Sequence, residues 1–246
     1  MNAGAIDRFL GGRIALRQPA RGFRSGLDAV MLAAAVPAKA KDTVLELGAG
    51  AGVASLCLAA RVPGCTIVGL EIDPELVALA NGNTARNGLE SRVRFLPGDV
   101  CDPPRGVRTG FDHVFANPPF HDPRSDASPV AERARAKRDE GQLATWLAMG
   151  LKRTASNGTF TLILRADRLG EALAALPATG VTVFPLWPKA DRPAKRILIQ
   201  TRKSARAPLA VLPGLVLHRR DGGYTPGADA VLHGAPLSLV PPRPRL

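Results

Sequence analysis

Apolar and polar positions follow two different periods along the chain, and this predicts a mixed α/β fold. Short apolar runs that end in glycine, proline or an acidic residue are typical of buried strands. The predicted strands are 43–47, 66–70, 92–96, 111–116, 158–164, 181–186 and 196–201, with a short β run at 209–217. Apolar residues at helical spacing predict helices at 26–36, 53–61, 74 to about 87, 140–153 and 167–176.

The first four of these strands each lead into a polar or glycine-rich feature. This arrangement is typical of an open parallel sheet that binds its ligand at the carboxyl ends of the strands. An alternating stretch at 13–17 predicts one strand of an additional N-terminal hairpin. The chain is therefore expected to be organised around one sheet edge.

A glycine-rich turn links the first strand of this sheet to a helix. Gly48, Gly50 and Gly52 follow the strand directly, where the backbone must turn sharply and let a ligand approach without a Cβ in the way. Glu71 ends the next strand about 20 residues further on, where a ribose-binding carboxylate is expected. Asp99 follows the third strand and is expected near a base amino group. Together these residues predict a nucleotide-type ligand.

The fourth strand ends at Asn117, Pro118, Pro119 and Phe120. Two prolines cannot continue a strand or enter a helix, because each lacks an N–H and has a fixed φ. The motif therefore offers a carboxamide, carbonyl oxygens and an aromatic face at one rigid place. We predict that the chemistry occurs there.

The charge balance favours a polyanionic partner. The chain has 246 residues, with 33 Lys and Arg against 21 Asp and Glu and a formal net charge of +12. Nucleic acid is the commonest such partner, although a generally basic proteome would give the same balance. The basic segments predict an RNA-facing surface formed by 189–206 and the N-terminal arginines, with Arg13, Arg17, Arg124, Lys195 and Arg196 as candidate RNA contacts. The charged loop at 121–138 predicts either a mobile active-site loop that orders on substrate binding or a solvated run of charges.

Composition also limits the other classes of function. The three cysteines show no metal-ligand spacing, so no metal site is predicted and the thiols are expected to be reduced. No segment approaches the roughly 18 apolar residues of a membrane span, and the N-terminus lacks a signal peptide. We therefore expect a cytoplasmic protein with no membrane partner, whose oligomeric state the sequence leaves open.

The motifs resemble those of class I S-adenosylmethionine-dependent methyltransferases that act on amino nitrogens. The matching residues are Glu46 to Gly52, Glu71, Asp99 and the Asn-Pro-Pro-Phe motif at 117–120. Together with the basic N-terminus, Ser25 to Ala29 and Gly222 to Thr225, they are similar to the bacterial tRNA adenine-N6 methyltransferases that modify a valine tRNA beside its anticodon. The resemblance implies a Rossmann-like fold with a mostly parallel seven-stranded sheet and a C-terminal antiparallel hairpin formed by 181–186 and 196–201.

The resemblance also implies roles for individual residues. S-adenosylmethionine would be the cofactor, held by Glu46, Gly48, Gly50, Gly52, Glu71, Ile72, Asp99, Val100 and Asn117. Asn117 and the Pro118 carbonyl would accept hydrogen bonds from the target amino group, next to Pro119, while Phe120 would stack on the target base. Many relatives have Tyr at this last position, so a role for a phenol hydroxyl is absent here. Oriented acceptors suit a weakly nucleophilic amine, and no general base is required.

The expected organisation has three parts. Residues 1–40 would form a basic hairpin and helix that pack on the core, 41–205 the methyltransferase domain, and 206–246 an extension with a flexible proline-rich tail. The expected substrate is adenine N6 in tRNA. Two alternative substrates are a protein glutamine and guanine N2 in rRNA. Two other classes of protein are an RNA-binding subunit with a vestigial methyltransferase fold and a nicotinamide dehydrogenase, which would leave the proline motif unexplained.

Overall fold

The computed structural model describes residues 3–20, 24–105, 107–119 and 143–241. The strands in these ranges are β1 (Ala3–Phe9), β2 (Ile14–Pro19), β3 (Thr43–Leu47), β4 (Thr66–Glu71), β5 (Val93–Pro97), β6 (Phe111–Ala116), β7 (Thr154–Arg165), β8 (Val181–Trp187), β9 (Arg196–Arg202), β10 (Ala210–Val211) and β11 (Leu215–Val216). The helices are α1 (Leu27–Ala35), α2 (Val53–Arg61), α3 (Pro74–Arg86), α4 (described over 143–153), α5 (Leu169–Ala175) and α6 (Pro226–Leu232).

One mostly parallel sheet forms the centre of the fold, as predicted. Its strand order is β10-β8-β9-β7-β6-β3-β4-β5, and β11 also pairs with β8. Only β9 runs antiparallel, to β7 on one side and to β8 on the other. The described sheet has nine strands where seven were predicted, because β10 and β11 add two residues each to the outer edge of β8. The mixed α/β fold and the antiparallel hairpin are confirmed.

Some predicted elements differ in detail. The strand predicted at 158–164 begins earlier, at Thr154, and the helix predicted at 167–176 is divided into a 3-10 turn (Ala166–Arg168) and α5. The β run predicted at 209–217 is two short strands, because Pro213 and Gly214 interrupt the pairing with β8. Helix α6 was not predicted, although Thr225 caps it and Pro226 begins it.

Apolar residues alternate between the two faces of the sheet and create two cores. On one face Val44 and its neighbours pack against α1, α2 and α3, and on the other Leu45 and Leu47 pack against α4 and α5. The first core also includes Leu16 from β2 and Val231 from α6. Residues from both ends of the chain therefore contribute to the main core, while the predicted three-part division stays a prediction.

Two asparagines of α3 hold the N-terminal hairpin. The Asn83 side chain accepts a hydrogen bond from the Arg17 N–H at 2.8 Å and donates to the Arg17 carbonyl at 2.8 Å. Asn87, one turn later, binds the N–H and carbonyl of Ala15 at 3.0 and 2.9 Å. Residues four apart on a helix and two apart on a strand have similar spacings, so the two carboxamides bind β2 much as a neighbouring strand would.

Within the described ranges, no helix combines the length and the apolar character that crossing a membrane requires. The same residues contain no group of three or more His, Cys, Asp or Glu side chains suited to a metal ion.

Candidate active site

The carboxyl ends of β3, β4 and β6 meet at one edge of the sheet and surround a cavity. Its volume is about 400 Å³, which lies within the range of small-molecule sites. The lining residues are Ser25, Ala29, Glu46, Gly48, Ala49, Gly50, Ala54, Glu71, Ile72, Leu76, Asp99, Val100, Asn117, Pro118, Pro119 and Trp146. Motifs that are far apart in sequence therefore share one site.

The glycine-rich turn forms the floor of this cavity. Gly48 and Gly50 have backbone φ values of +68° and +54°, which residues other than glycine rarely adopt. The N–H groups of Gly48 and Ala49 both donate to the Leu70 carbonyl, at 2.8 and 3.0 Å, and this ties the turn to β4. A Cβ at Gly48 would lie 2.5 Å from Trp146 Cη2, whereas a Cβ at Gly50 would meet no protein atom within 4 Å. The turn is therefore closely packed against Trp146 at Gly48 and has open space beside it at Gly50.

Gly52 differs from the other two glycines. It precedes the first residue of α2 with φ +84° and is absent from the cavity lining. A Cβ there would lie 2.7 Å from Phe95 Cζ, so this glycine permits close packing of α2 against β5. Its predicted contact with the cofactor stays a prediction.

Glu71 connects the glycine-rich turn to the start of α3. Its Oε2 accepts a hydrogen bond from the Gly50 N–H at 2.8 Å, and its Oε1 accepts one from the Asp73 N–H at 3.0 Å. Each carboxylate oxygen can accept a further hydrogen bond. The side chain is thus fixed in position and can still bind hydroxyl groups of a ligand in the cavity.

Glu46 is a second carboxyl group at this edge, and it is buried. It accepts hydrogen bonds from the N–H and the hydroxyl of Ser55, in the first turn of α2. Burial raises the pKa of Glu46 to about 8, against the opposing effect of the Ser55 hydrogen bonds. This group is therefore mostly protonated at neutral pH when the cavity holds no cation.

The electrostatic character of the cavity is opposite to that of the whole chain. The described lining contains no Lys, Arg or His, and its acidic residues are Glu71, Asp99 and the mostly protonated Glu46. Asp99 Oδ1 accepts a hydrogen bond from the Cys101 N–H at 2.8 Å, which orients its carboxylate. The dehydrogenase alternative gives no role to Asn117, Pro118 and Pro119, which line this cavity, and it is disfavoured for that reason. A ligand with positively charged groups is favoured.

Asn117 stands at the end of β6, against the cavity. Its Oδ1 is buried and has no hydrogen-bond partner among the described residues. A buried acceptor of this kind is costly unless a ligand satisfies it. Pro118 and Pro119 line the same side of the cavity and supply carbonyls without N–H groups. The pair of acceptors predicted from the sequence is therefore compatible with the geometry.

Other predicted contacts fall in different places. Phe120 and Arg124 lie outside the described residues. Arg13 donates to the carbonyls of Leu10 and His233, so it links the hairpin to the end of α6, and Arg17 is exposed on β2. Their roles in RNA binding stay predictions.

The basic residues of 189–206 are divided between two edges of the sheet. Lys195 and Arg196 lie at the beginning of β9, on the same edge as the cavity, and Arg196 Nε donates to Asp28 Oδ2 at 2.7 Å. Lys203 follows the other end of β9 and donates to the carbonyls of Leu151 and Thr154. Because β9 spans the sheet between them, these residues lie at opposite edges of the sheet.

Sequence reasoning missed part of the lining. Ser25 and Ala29 reach the cavity from the start of α1, and Trp146 reaches it from α4, with 7% of its surface exposed. Trp146 also belongs to the core on the face of the sheet covered by α4 and α5. Its packing on Gly48 depends on the crossing of two distant segments, so no local pattern indicates it. The Ser25 to Ala29 similarity noted above was the one signal for the first pair.

The cavity fits S-adenosylmethionine. A glycine-rich cradle open at Gly50, an oriented Glu71, the acidic lining and the unsatisfied Asn117 oxygen suit a ligand with ribose hydroxyls and cationic groups. Glu71 would hold the ribose, Asp99 the base and the glycine-rich turn the methionine part. When bound, this cofactor supplies an electrophilic methyl group.

Comparison with known proteins gives a consistent result. Residues 26–144 match the model of the methyltransferase small domain family. The tRNA1(Val) (adenine(37)-N6)-methyltransferase of Yersinia enterocolitica is 31% identical over 225 residues, which cover 85% of this chain and 84% of that protein. The protein of the same name from Porphyromonas gingivalis is 28% identical over 221 residues, covering 83% of this chain and 85% of that protein.

A solved structure supports the fold. The crystal structure of a predicted O-methyltransferase from Agrobacterium tumefaciens superimposes with a TM-score of 0.73 at 24% identity, and the match covers 86% of this chain and 98% of that one. Together with the cavity and the relatives above, this shows that the chain belongs to the family of S-adenosylmethionine-dependent methyltransferases that includes the Yersinia enterocolitica protein.

Proposed function

We propose that this protein transfers a methyl group from S-adenosylmethionine to an exocyclic amino nitrogen of tRNA, namely N6 of an adenine in the anticodon loop. The observation behind the proposal is the buried Oδ1 of Asn117 at the wall of the cavity, which has no hydrogen-bond partner in the part of the chain that the structure describes. An amino group has two N–H donors, which Asn117 Oδ1 and the Pro118 carbonyl can accept together.

These two acceptors address the weakness of the amine as a nucleophile. The lone pair of an adenine amino group is delocalised into the ring. Two hydrogen bonds orient the nitrogen and stabilise the positive charge that develops on it during transfer. The absent N–H groups of Pro118 and Pro119 leave no backbone donor to compete for this position. The arrangement favours an amino acceptor over a hydroxyl, which has only one proton to donate.

Two observations favour tRNA as the substrate. The Yersinia enterocolitica and Porphyromonas gingivalis relatives are named for adenine methylation of a valine tRNA, and they match more than four fifths of this chain. The formal net charge of +12 also suits a polyanionic substrate. A base inside structured RNA must be unstacked before it can enter a cavity, and a loop nucleotide is the easiest to unstack.

The test is transfer of a labelled methyl group to unmodified tRNA, followed by digestion to nucleosides and mass spectrometry. Wild type is expected to produce N6-methyladenosine. Asn117→Ala should lower the rate about 100-fold or more, since it removes an acceptor oriented at the reacting nitrogen. Thermal unfolding with and without S-adenosylmethionine shows whether the variant still folds and binds the cofactor.

Each outcome has a distinct meaning. Label in N6-methyladenosine that disappears in a folded Asn117→Ala variant supports the proposal. The proposal is contradicted if the label appears in a guanosine derivative. It is also contradicted if wild type binds the cofactor but transfers no label to tRNA. If Asn117→Ala is as active as wild type, only the role proposed for the Asn117 carboxamide is contradicted.

A further inference from the structure

A short turn with two stacked aromatic rings lies at the outer end of the cavity edge. It comprises residues 218–224, here called the His–Tyr turn. The N–H of Leu217 donates to the Trp187 carbonyl at 2.8 Å, and the N–H of His218 donates to the Pro188 carbonyl at 3.1 Å. These bonds attach the turn to the end of β8.

The strand directions place this turn on the same edge as the active site. β8 is antiparallel to β9, and β9 is antiparallel to β7, so β8 runs in the same direction as β7, β6 and β3. Its carboxyl end therefore lies on the edge where Asn117 ends β6. β6 and β8 are three strand spacings apart and β11 is one more, which gives roughly 15–20 Å between the two sites. A few unstacked nucleotides can span that distance.

The ring pair presents an aromatic surface to solvent. The centroids of His218 and Tyr224 are 4.8 Å apart with an interplanar angle of 26°, and Tyr224 is 40% exposed. The backbone N–H of Arg219 donates to the Gly223 carbonyl at 2.8 Å, and His218 and Tyr224 form an antiparallel bridge, so the turn is closed between the two aromatic residues. The rings are therefore held in place before any ligand binds, so stacking on them costs little ordering entropy.

Basic residues occur in the His–Tyr turn and in the loop attached to it. The turn and the adjoining loop at 188–195 contain Lys189, Arg192, Lys195, Arg219 and Arg220 against Asp191 and Asp221. Lys189 Nζ donates to the Arg220 carbonyl at 3.2 Å, which fixes the loop to the turn. Arg192, Lys195 and Arg220 are exposed. An aromatic platform flanked by cations is the combination that binds single-stranded nucleic acid, through base stacking and phosphate contacts.

We propose that the His–Tyr turn binds an unpaired nucleotide of the substrate RNA, away from the target base, by stacking on Tyr224 while the surrounding cations contact phosphates. This inference rests on the proposed function, because it assumes an RNA substrate. The turn would hold the loop while the target base enters the cavity. The turn would raise the affinity for RNA and fix the position of the RNA loop relative to the cavity. It takes no part in the methyl transfer itself.

Tyr224 is the only tyrosine of the chain, and this permits a direct test. Protein produced with 3-fluorotyrosine should give one ¹⁹F resonance from the turn. Unmodified tRNA is expected to shift or broaden that resonance, whereas S-adenosylmethionine alone should leave it unchanged. A resonance that does not respond to saturating tRNA would overturn the inference.

Substitutions separate stacking from a structural role. Tyr224→Leu and Tyr224→Ala should weaken tRNA binding about tenfold, while Tyr224→Phe should bind within about twofold of wild type, since it keeps a ring face. Leu209→Ala is the matched control, because Leu209 is 41% exposed near β10, which pairs with the opposite end of β8. Equal binding by Leu and Phe at residue 224 would contradict stacking.

Binding by wild type distinguishes the two proposals. If wild type binds no tRNA, both fail, and transfer to tRNA should then be absent as well. If wild type binds and methylates tRNA but the Tyr224 variants bind equally well, only the inference about the His–Tyr turn fails. Thermal unfolding of each variant identifies any loss of binding that comes from loss of fold.

Discussion

The two ends of the cavity edge have opposite chemistry. At the inner end, where β3, β4 and β6 terminate, three acidic residues and no basic ones line the described cavity. At the outer end, next to β8 and β11, the turn that holds the ring pair and its adjoining loop carry five basic residues against two acidic ones. The net charge of +12 therefore describes neither end. It is the sum of an acidic cavity and basic surfaces.

This separation suits an enzyme with two very different ligands. An acidic cavity attracts a small cationic cofactor and repels RNA phosphates, so that only an extended base is favoured to enter. Exposed cations outside it attract the polyanion without burying its charge. Backbone N–H donors hold the Glu71 carboxylate of the inner end in position, whereas basic side chains of the outer end, such as Lys195 and Arg220, are exposed. Mutations at the inner end should therefore act by displacing positioned groups. Mutations at the outer end should act by changing how strongly tRNA binding depends on salt.

The largest effect is expected at Glu46, as a dependence of stability on pH. Its pKa is about 8 in the folded protein against 4.5 as the ordinary value. Between these values the folded state holds one proton more than the unfolded state, so the free energy of unfolding should fall as pH rises from 4.5 to 8. The total is on the order of 5 kcal/mol. Urea unfolding across this range, without cofactor, measures it.

Glu46→Gln provides the comparison, since a carboxamide can still accept from the Ser55 N–H but does not titrate. The difference in unfolding free energy between wild type and this variant should favour wild type most at low pH and shrink towards pH 8. A difference that stays constant with pH would show that Glu46 titrates normally, and the assignment of Glu46 as a buried, protonated carboxyl group would then be wrong.

The next largest effect concerns cofactor affinity. Glu71→Gln replaces one of the two carboxylate oxygens with an NH₂ group. This donor would face the N–H of Gly50 or of Asp73, so one of the two hydrogen bonds would be lost. Affinity for S-adenosylmethionine should fall about 100-fold, from the loss of hydrogen bonds to a charged group and of the order in the turn. Calorimetry measures it. Asp73→Asn is the control, because it also removes one negative charge but leaves an acceptor for the Glu75 N–H. An equal loss in both variants would mean that net charge alone matters.

Most of the inner end could be predicted from the sequence, because its signals are local. The bounds of α2 and β6 agree with the predicted ones, since a glycine, a proline or a capping residue marks each boundary. The predicted residues Gly48, Glu71 and Asp99 come together because parallel strands all end at one edge. Gly52 is the exception. Its glycine is required for packing on Phe95, which the same motif cannot distinguish from ligand contact.

The outer end could not be predicted to the same extent. Strands of two residues, such as β10 and β11, have no periodicity to detect. Basic residues were counted together along 189–206, although β9 carries the chain across the sheet within that range. Sequence also cannot distinguish a cation that binds RNA from one that binds a carbonyl. Arg61 and Arg92, for example, donate to carbonyls at Ala33 and Ala59.

A smaller effect is expected from a pair of glycine variants. Gly48→Ala and Gly50→Ala share the strain of a left-handed backbone, about 1–2 kcal/mol, but only the first places a Cβ against Trp146. Gly48→Ala should therefore be less stable than Gly50→Ala by about 1–3 kcal/mol. Trp146→Phe should relieve part of this difference. Gly50→Ala should instead weaken cofactor binding, because Gly50 lines the cavity and its new methyl group would meet no protein atom. Equal stabilities, unaffected by Trp146→Phe, would contradict the packing described here.

The smallest single-residue effect belongs to the outer end. Raising salt from about 50 to about 200 mM should weaken tRNA binding steeply and leave S-adenosylmethionine binding nearly unchanged. Lys195→Gln should reduce the slope of log affinity against log salt by about one, with a loss of only a few-fold in affinity. Arg206→Gln is the matched control, since Arg206 is exposed beyond the opposite end of β9. If both variants change the slope equally, RNA contacts both edges of the sheet, and the separation between an acidic inner end and a basic outer end would no longer describe how the substrate binds.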